Sequence, residues 1–187
     1  MSSLLDRLRS ETRPQHEQME AAFRLPGTRD EHRRWLSFFL GFVEPLEQKI
    51  LAQLGMSHPL LLGRLKTDWL KEDLRSSGLS EAEIAALPRC DALPALSTPS
   101  QALGALYVFE GSTLGGQLIS RHLETTLGLS DGIGYRYFRS YGPDVGRRWQ
   151  EFRAFLLQQS SPDTDNQVVN AASETFARLH DWSKRQP

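Results

Sequence analysis

Apolar residues recur in steps of three and four along almost the whole chain, which is the period of an α-helix with one buried face. Leu5, Leu8, Thr12, His16, Met19 and Phe23 share one such face. Trp35, Phe38, Phe39, Phe42, Leu46 and Ile50 make a second, and Trp149, Phe152, Phe155 and Leu156 a third. Val169, Ala172, Phe176 and Leu179 make a fourth. The spacing predicts a first helix capped by Ser2 or Ser3 and ended at Leu25-Pro26-Gly27, then helices over about 30–53, 66–75, 81–87, 100–127, 144–159 and 165–184. Ser80 with Glu83 reads as a capping box. Pro14 and Pro45 fall inside helices and are expected to bend them, or at Pro14 to restart one. Residues 131–143 form a Gly- and Tyr-rich connection; its alternation of Ile133, Tyr135 and Tyr137 is too short and isolated to pair as a strand. The expected fold is all-α, a single domain over residues 1–187.

Composition narrows the function classes. With 22 basic and 23 acidic residues the formal charge is −1, so no whole-surface attraction to nucleic acid or to an anionic membrane is expected. Arginine outnumbers lysine 18 to 4, which leaves room for a local anion clamp. One cysteine, Cys90, builds neither a disulfide framework nor a multi-cysteine metal site, and a reducing cytoplasmic setting is expected. No apolar run is long enough for a membrane helix or a signal peptide.

His16 is the first candidate for chemistry. It sits within an apolar stripe, and a neutral imidazole there can offer one ring nitrogen to a metal. Glu20 lies one turn on, where a carboxylate can accept the other ring N–H and fix the tautomer. Arg9 lies on the same face seven residues earlier. The alternative is a histidine at the edge of the core beside a surface acid and a surface base.

The second candidate is Leu106-Tyr107-Val108-Phe109-Glu110-Gly111-Ser112-Thr113-Leu114-Gly115-Gly116. Each glycine in a helix costs about 1 kcal/mol relative to alanine, and three fall within six residues here. Gly111 and Gly115 would bare one face to a flat ligand, with Ser112 and Thr113 adding hydroxyls. Close packing against another helix is the competing explanation. Downstream, Tyr135, Arg136, Tyr137, Phe138 and Arg139, with Arg147 and Arg148, offer either a ligand wall and carboxylate clamp or ordinary loop anchors. HExxH, Walker and GxSxG motifs are absent from the sequence.

Together these segments resemble the haem oxygenases, in particular the bacterial, biliverdin-producing kind. Leu8 to Glu20 looks like the family's proximal helix, Tyr107 to Gly116 like its glycine-rich distal helix, and Tyr137-Phe138-Arg139-Ser140-Tyr141-Gly142 like the bacterial branch. The resemblance implies haem held between a proximal and a kinked distal helix. It implies His16 as iron ligand, Glu20 as its hydrogen-bond partner and Arg9 at a propionate. Gly111, Ser112, Gly115 and Gly116 would cover the distal face, with Gly111, Ser112 and Gly115 nearest the chemistry. Tyr107 and Tyr137 would join the cofactor wall, and the second propionate contact would be Arg148, with Arg147 and Arg153 as alternatives. Animal members carry an Asp where this chain has Ser112, so the distal water network must be built differently here.

The implied reaction is oxygen-dependent opening of haem to biliverdin, carbon monoxide and ferrous iron, with haem as cofactor and substrate. A single neutral histidine leaves the opposite iron site open for O2, and a backbone-lined distal face lacks the acid–base side chain that favours O–O cleavage. Electrons must come from a reductase or ferredoxin, because no flavin or nicotinamide motif is present. The biliverdin acceptor could be a bacteriophytochrome, or the purpose could be iron recovery. A non-catalytic haem carrier on the same fold is the main competing expectation.

Overall fold

The computed structural model describes residues 3–185, and every regular element in them is helical. The order is α1 (Leu4–Ala22), α2 (Arg29–Leu54), α3 (Thr67–Ser76), α4 (Glu81–Ala86), α5 (Pro99–Leu127), α6 (Arg136–Arg139), α7 (Val145–Gln158) and α8 (Pro162–Ser183). Single 3-10 turns lie at Pro59–Leu61 and Gly142–Asp144.

Local chemistry sets the helix starts. Ser3 caps α1 and Asp6 closes a capping box; Ser2, the other expected cap, lies outside the described residues. Ser80 and Glu83 form the box expected at α4. Thr28 with Glu31 and Thr98 with Gln101 do the same for α2 and α5. Helix α8 begins three residues before the expected Asp165, because Ser161 caps it and Pro162 takes the first turn, where a missing N–H is harmless.

The two interior prolines differ in their consequences. Helix α1 runs unbroken through Pro14. The residue whose carbonyl loses its donor, Ser10, is exposed, so water can replace the missing N–H. In α2, Pro45 frees the carbonyl of Gly41, and the backbone N–H of Cys90 donates to it at 2.8 Å. The segment after α4 is thereby fastened to α2.

Residues 131–143 contain more structure than a connection. Asp131, Gly132 and Gly134 take positive φ, and the chain then turns into the four-residue helix α6. The buried carboxylate of Asp73 in α3 accepts the backbone N–H groups of Arg136 and Tyr137, each at 2.8 Å, which satisfies that short helix's first donors.

One continuous apolar core joins the helices. Helix α8 is its spine, packing extensively against both α5 and α1, whereas α1 and α5 hardly touch each other. Gly104 of α5 makes the α5–α8 approach possible, since a Cβ there would stand 2.2 Å from the carbonyl oxygen of Val168. Helices α1 and α5 thus flank α8 without closing on each other, and from this arrangement we infer a cleft between them floored by α8.

Candidate functional site

Helix α1 buries Leu4, Leu8, Thr12 and Met19, and His16 falls on the same stripe. Yet the His16 side chain is 54% exposed. It is the gap in an otherwise covered face. Its ring stands edge-on to Phe176 of α8, with centroids 5.9 Å apart. Nδ1 lies 3.6 Å from Oε2 of Glu20, longer than a hydrogen bond but within a small side-chain rotation of one. No described residue hydrogen-bonds Nε2. The two side chains are within ion-pair distance along the helix, and neither ring nitrogen makes a hydrogen bond to a described residue.

Helix α5 is continuous through its glycines. The face that carries Gly104 onto α8 carries Gly111 and Gly115 one helical stretch later, where α8 no longer covers it. A Cβ on Gly115 would meet nothing within 4 Å, and one on Gly111 would meet only the Trp149 ring, at 3.8 Å. These two glycines are not used for helix packing. Gly116 is: a Cβ there would lie 2.1 Å from the carbonyl oxygen of Phe138. It turns to α6, whereas Gly111 and Gly115 are left uncovered. Ser112 is exposed beside them, and its hydroxyl donates to the Phe109 carbonyl at 2.8 Å. Exposed Leu114 and Leu118 continue the apolar face.

At one end of the cleft, cationic groups gather around Tyr107. The Tyr107 ring lies 5.5 Å from that of Trp149. Its hydroxyl is held above its ordinary pKa by burial, opposed by the positive charges of Arg153 and Arg9. The same two arginines act on Asp6, whose carboxyl is lowered first by its hydrogen bonds with Ser3. Neither arginine has an ion-pair partner among the described residues, and both are exposed. Their charges lie where an anion clamp was expected, with Arg153 in the place expected of Arg148. Arg148 is committed elsewhere: it donates to the Leu62 carbonyl at 2.7 Å and stacks over Tyr141 at 5.0 Å. It pins α7 to the 55–63 turn, while Arg153, five residues further along α7, brings its charge to bear on Tyr107. Arg147 pairs with Asp144 and Glu151.

The largest feature that sequence reading missed lies behind Gly111. Glu110 is 1% exposed and ion-paired to Arg64, and it accepts from Lys66 Nζ at 3.1 Å and from the Tyr141 hydroxyl at 2.7 Å. Burial pulls the Lys66 ammonium below its ordinary pKa, and Glu110 opposes that. Glu47 accepts from the backbone N–H groups of Lys66 and Thr67 and so caps α3 from α2. A lone acid in an apolar helix signals a buried cation partner, but only the fold reveals which. Tyr137 sits against Phe39 and Phe138, with ring centroids 5.2 and 5.1 Å away.

A half-exposed histidine, a bare backbone face and two unpaired arginines around one cleft suit a flat ligand with anionic arms and an atom that takes a nitrogen donor. The family described as heme oxygenase matches residues 2–185. A curated relative named heme oxygenase, from Xanthomonas campestris pv. campestris (strain 8004), is 31% identical over 149 residues, 79% of this chain and 83% of that protein. Among solved structures, heme oxygenase 2 from Chlamydomonas reinhardtii without heme aligns with a TM-score of 0.77 at 19% identity, covering 100% of this chain and 98% of the other. Heme oxygenase from Leptospira interrogans aligns at 0.74 and 16% identity, covering 97% and 98%. At those identities the structural matches establish the all-helical fold.

Proposed function

The chain belongs to the haem oxygenase family, and we propose that the cleft between α1 and α5 is where it binds haem and opens it to biliverdin, carbon monoxide and ferrous iron. The observation that carries this assignment is the unclaimed Nε2 of half-exposed His16 in a cleft whose other wall is the uncovered Gly111–Gly115 backbone.

Each residue then has a physical task. His16 offers Nε2 to the iron, and Glu20 accepts Nδ1–H, holding the tautomer and ring plane. Phe176 braces the imidazole edge. Arg9 and Arg153, with the Tyr107 hydroxyl between their fields, hold the propionates and set how the macrocycle is rotated in the cleft. Gly111 and Gly115 let the ring lie against bare backbone, where any side chain would hold it off. Ser112 supplies a hydroxyl oxygen beside that face. The iron of bound haem supplies the site at which O2 is activated.

No flavin or nicotinamide motif is present, so the electrons come from a separate reductase or ferredoxin. A cytosolic setting suits that supply and the single buried thiol of Cys90. No helix among the described residues is long and apolar enough to cross a membrane. A bilin-binding acceptor such as a bacteriophytochrome is the partner for the product. The direct test is a haem titration of the purified protein followed by oxygen and a reductant, with His16→Ala alongside.

A further inference from the structure

Because α1 and α5 hardly touch, the gap between them is fixed at its ends. At one end α5 rests on α8, where Gly104 meets the Val168 carbonyl. At the other the link runs through a histidine. His122 follows Gly111, Gly115 and Leu118 in steps of four, three and four, so it stands on the same face of α5. It lies two turns past Gly115, about 10 Å along the helix axis. Its Nε2 is 2.8 Å from the carbonyl oxygen of Pro26, in the turn between α1 and α2. A carbonyl only accepts, so the imidazole N–H is the donor.

The turn that His122 holds is itself well fastened. Pro26 is buried, and Glu31 accepts the backbone N–H groups of Gly27 and Thr28 at 2.6 and 3.1 Å. Phe23, which ends α1, has its ring 5.5, 5.2 and 5.8 Å from those of Trp35, Phe38 and Phe39. Arg29 adds a second tie, donating at 2.9 Å to the carbonyl of Leu127, the last residue of α5. A shift of this turn relative to α5 therefore carries into the end of α1, two turns beyond His16. Neither donor belongs to the core, since His122 is half-buried and Arg29 exposed.

We propose that His122 is a positioning residue for haem: by holding the Pro26 carbonyl it sets the separation of α1 from α5, and so where His16 stands relative to the Gly111–Gly115 face. The inference rests on the haem-binding assignment above and adds a residue that acts through the helix carrying the ligand. Without the bond the turn moves off α5 for part of the time, and only the closed arrangement presents His16 across bare backbone. Apparent affinity then falls in proportion to the closed fraction.

The test compares the wild type with His122→Leu, His122→Gln and Arg29→Leu. Haem affinity and dissociation rate are followed at the Soret band, and amide hydrogen exchange is measured on the empty proteins. His122→Leu should weaken haem binding about fivefold, the worth of one hydrogen bond, chiefly through faster dissociation. It should also speed exchange over residues 12–22 of α1 while leaving α8 unchanged. His122→Gln, whose side-chain amide can donate to the same carbonyl, should restore both. Arg29→Leu alters only an exposed residue and should weaken haem binding in the same sense. Wild-type affinity in both leucine variants would overturn the proposal, and so would a His122→Leu loss that glutamine does not repair. Equal exchange in the wild type and His122→Leu would overturn the tie whatever haem does. A wild type that binds no haem would instead overturn the haem assignment, and the seating role with it.

Discussion

Gly116 lies so close under Phe138 that a Cβ would stand 2.1 Å from its carbonyl oxygen, while a Cβ on neighbouring Gly115 would meet nothing within 4 Å. The two glycines therefore have separate jobs. Gly116→Ala should destabilise the fold by about 2 kcal/mol or more, because backbone must give way. Gly115→Ala should stabilise the empty protein by up to about 1 kcal/mol through helix propensity, yet weaken haem binding. Urea unfolding paired with haem titration separates the two effects. Equal destabilisation by both would contradict the division of labour.

The second prediction concerns the anion clamp. Arg9→Ala and Arg153→Ala should each weaken haem binding, by about tenfold if a charge-assisted contact of roughly 1.5 kcal/mol is lost. Arg148→Ala should leave affinity nearly unchanged and act on stability, since its guanidinium is tied to Leu62 and Tyr141. Titration followed at the Soret band gives the order directly. An Arg148 effect on affinity as large as that of Arg153 would refute the assignment.

Much of this was legible in the sequence, and the limits were physical. Capping boxes, apolar periodicity and the glycine cluster are local, so Ser80 with Glu83 and the long helix of 100–127 could be read directly. The pairing of His16 with Glu20 is likewise a one-turn relation within a single helix. Which arginine reaches Tyr107 depends on how α7 lies across α5, so Arg148 and Arg153 could not be told apart by spacing. Nor could sequence join Glu110 to Arg64 and Lys66, more than forty residues away. The use of Gly116 for the approach of α6 was hidden for the same reason.

Ser140 supplies a third prediction. It holds φ 50° and ψ −121° at the end of α6, a conformation unfavourable for any residue with a Cβ, and its buried Oγ has no hydrogen-bond partner. Ser140→Gly should raise stability by about 1 kcal/mol. A lower melting temperature for this variant would show that the serine makes a compensating contact.

The fourth prediction is a pH dependence. Burial pushes the Asp73 carboxyl up to about 7, against the backbone N–H groups of Tyr137 and Arg136 that favour its charge. A raised value means that the folded state binds the proton more tightly than the unfolded chain. The resulting stability is present in full below the usual value of 3.8 and is lost as pH rises through about 7. Wild-type stability relative to Asp73→Asn should therefore fall between pH 4 and pH 8. A difference that grows over that range would give Asp73 the opposite sign.

The central claim is that His16 holds the iron of a haem that this protein degrades. One experiment addresses it: titrate haem into the wild type and His16→Ala, follow the Soret band, then supply oxygen and a reductant. The wild type should develop a Soret band that gives way to a biliverdin spectrum, and His16→Ala should bind haem weakly and turn none over. Haem that stays intact in the wild type would make the protein a carrier, and normal degradation by His16→Ala would place the iron ligand elsewhere.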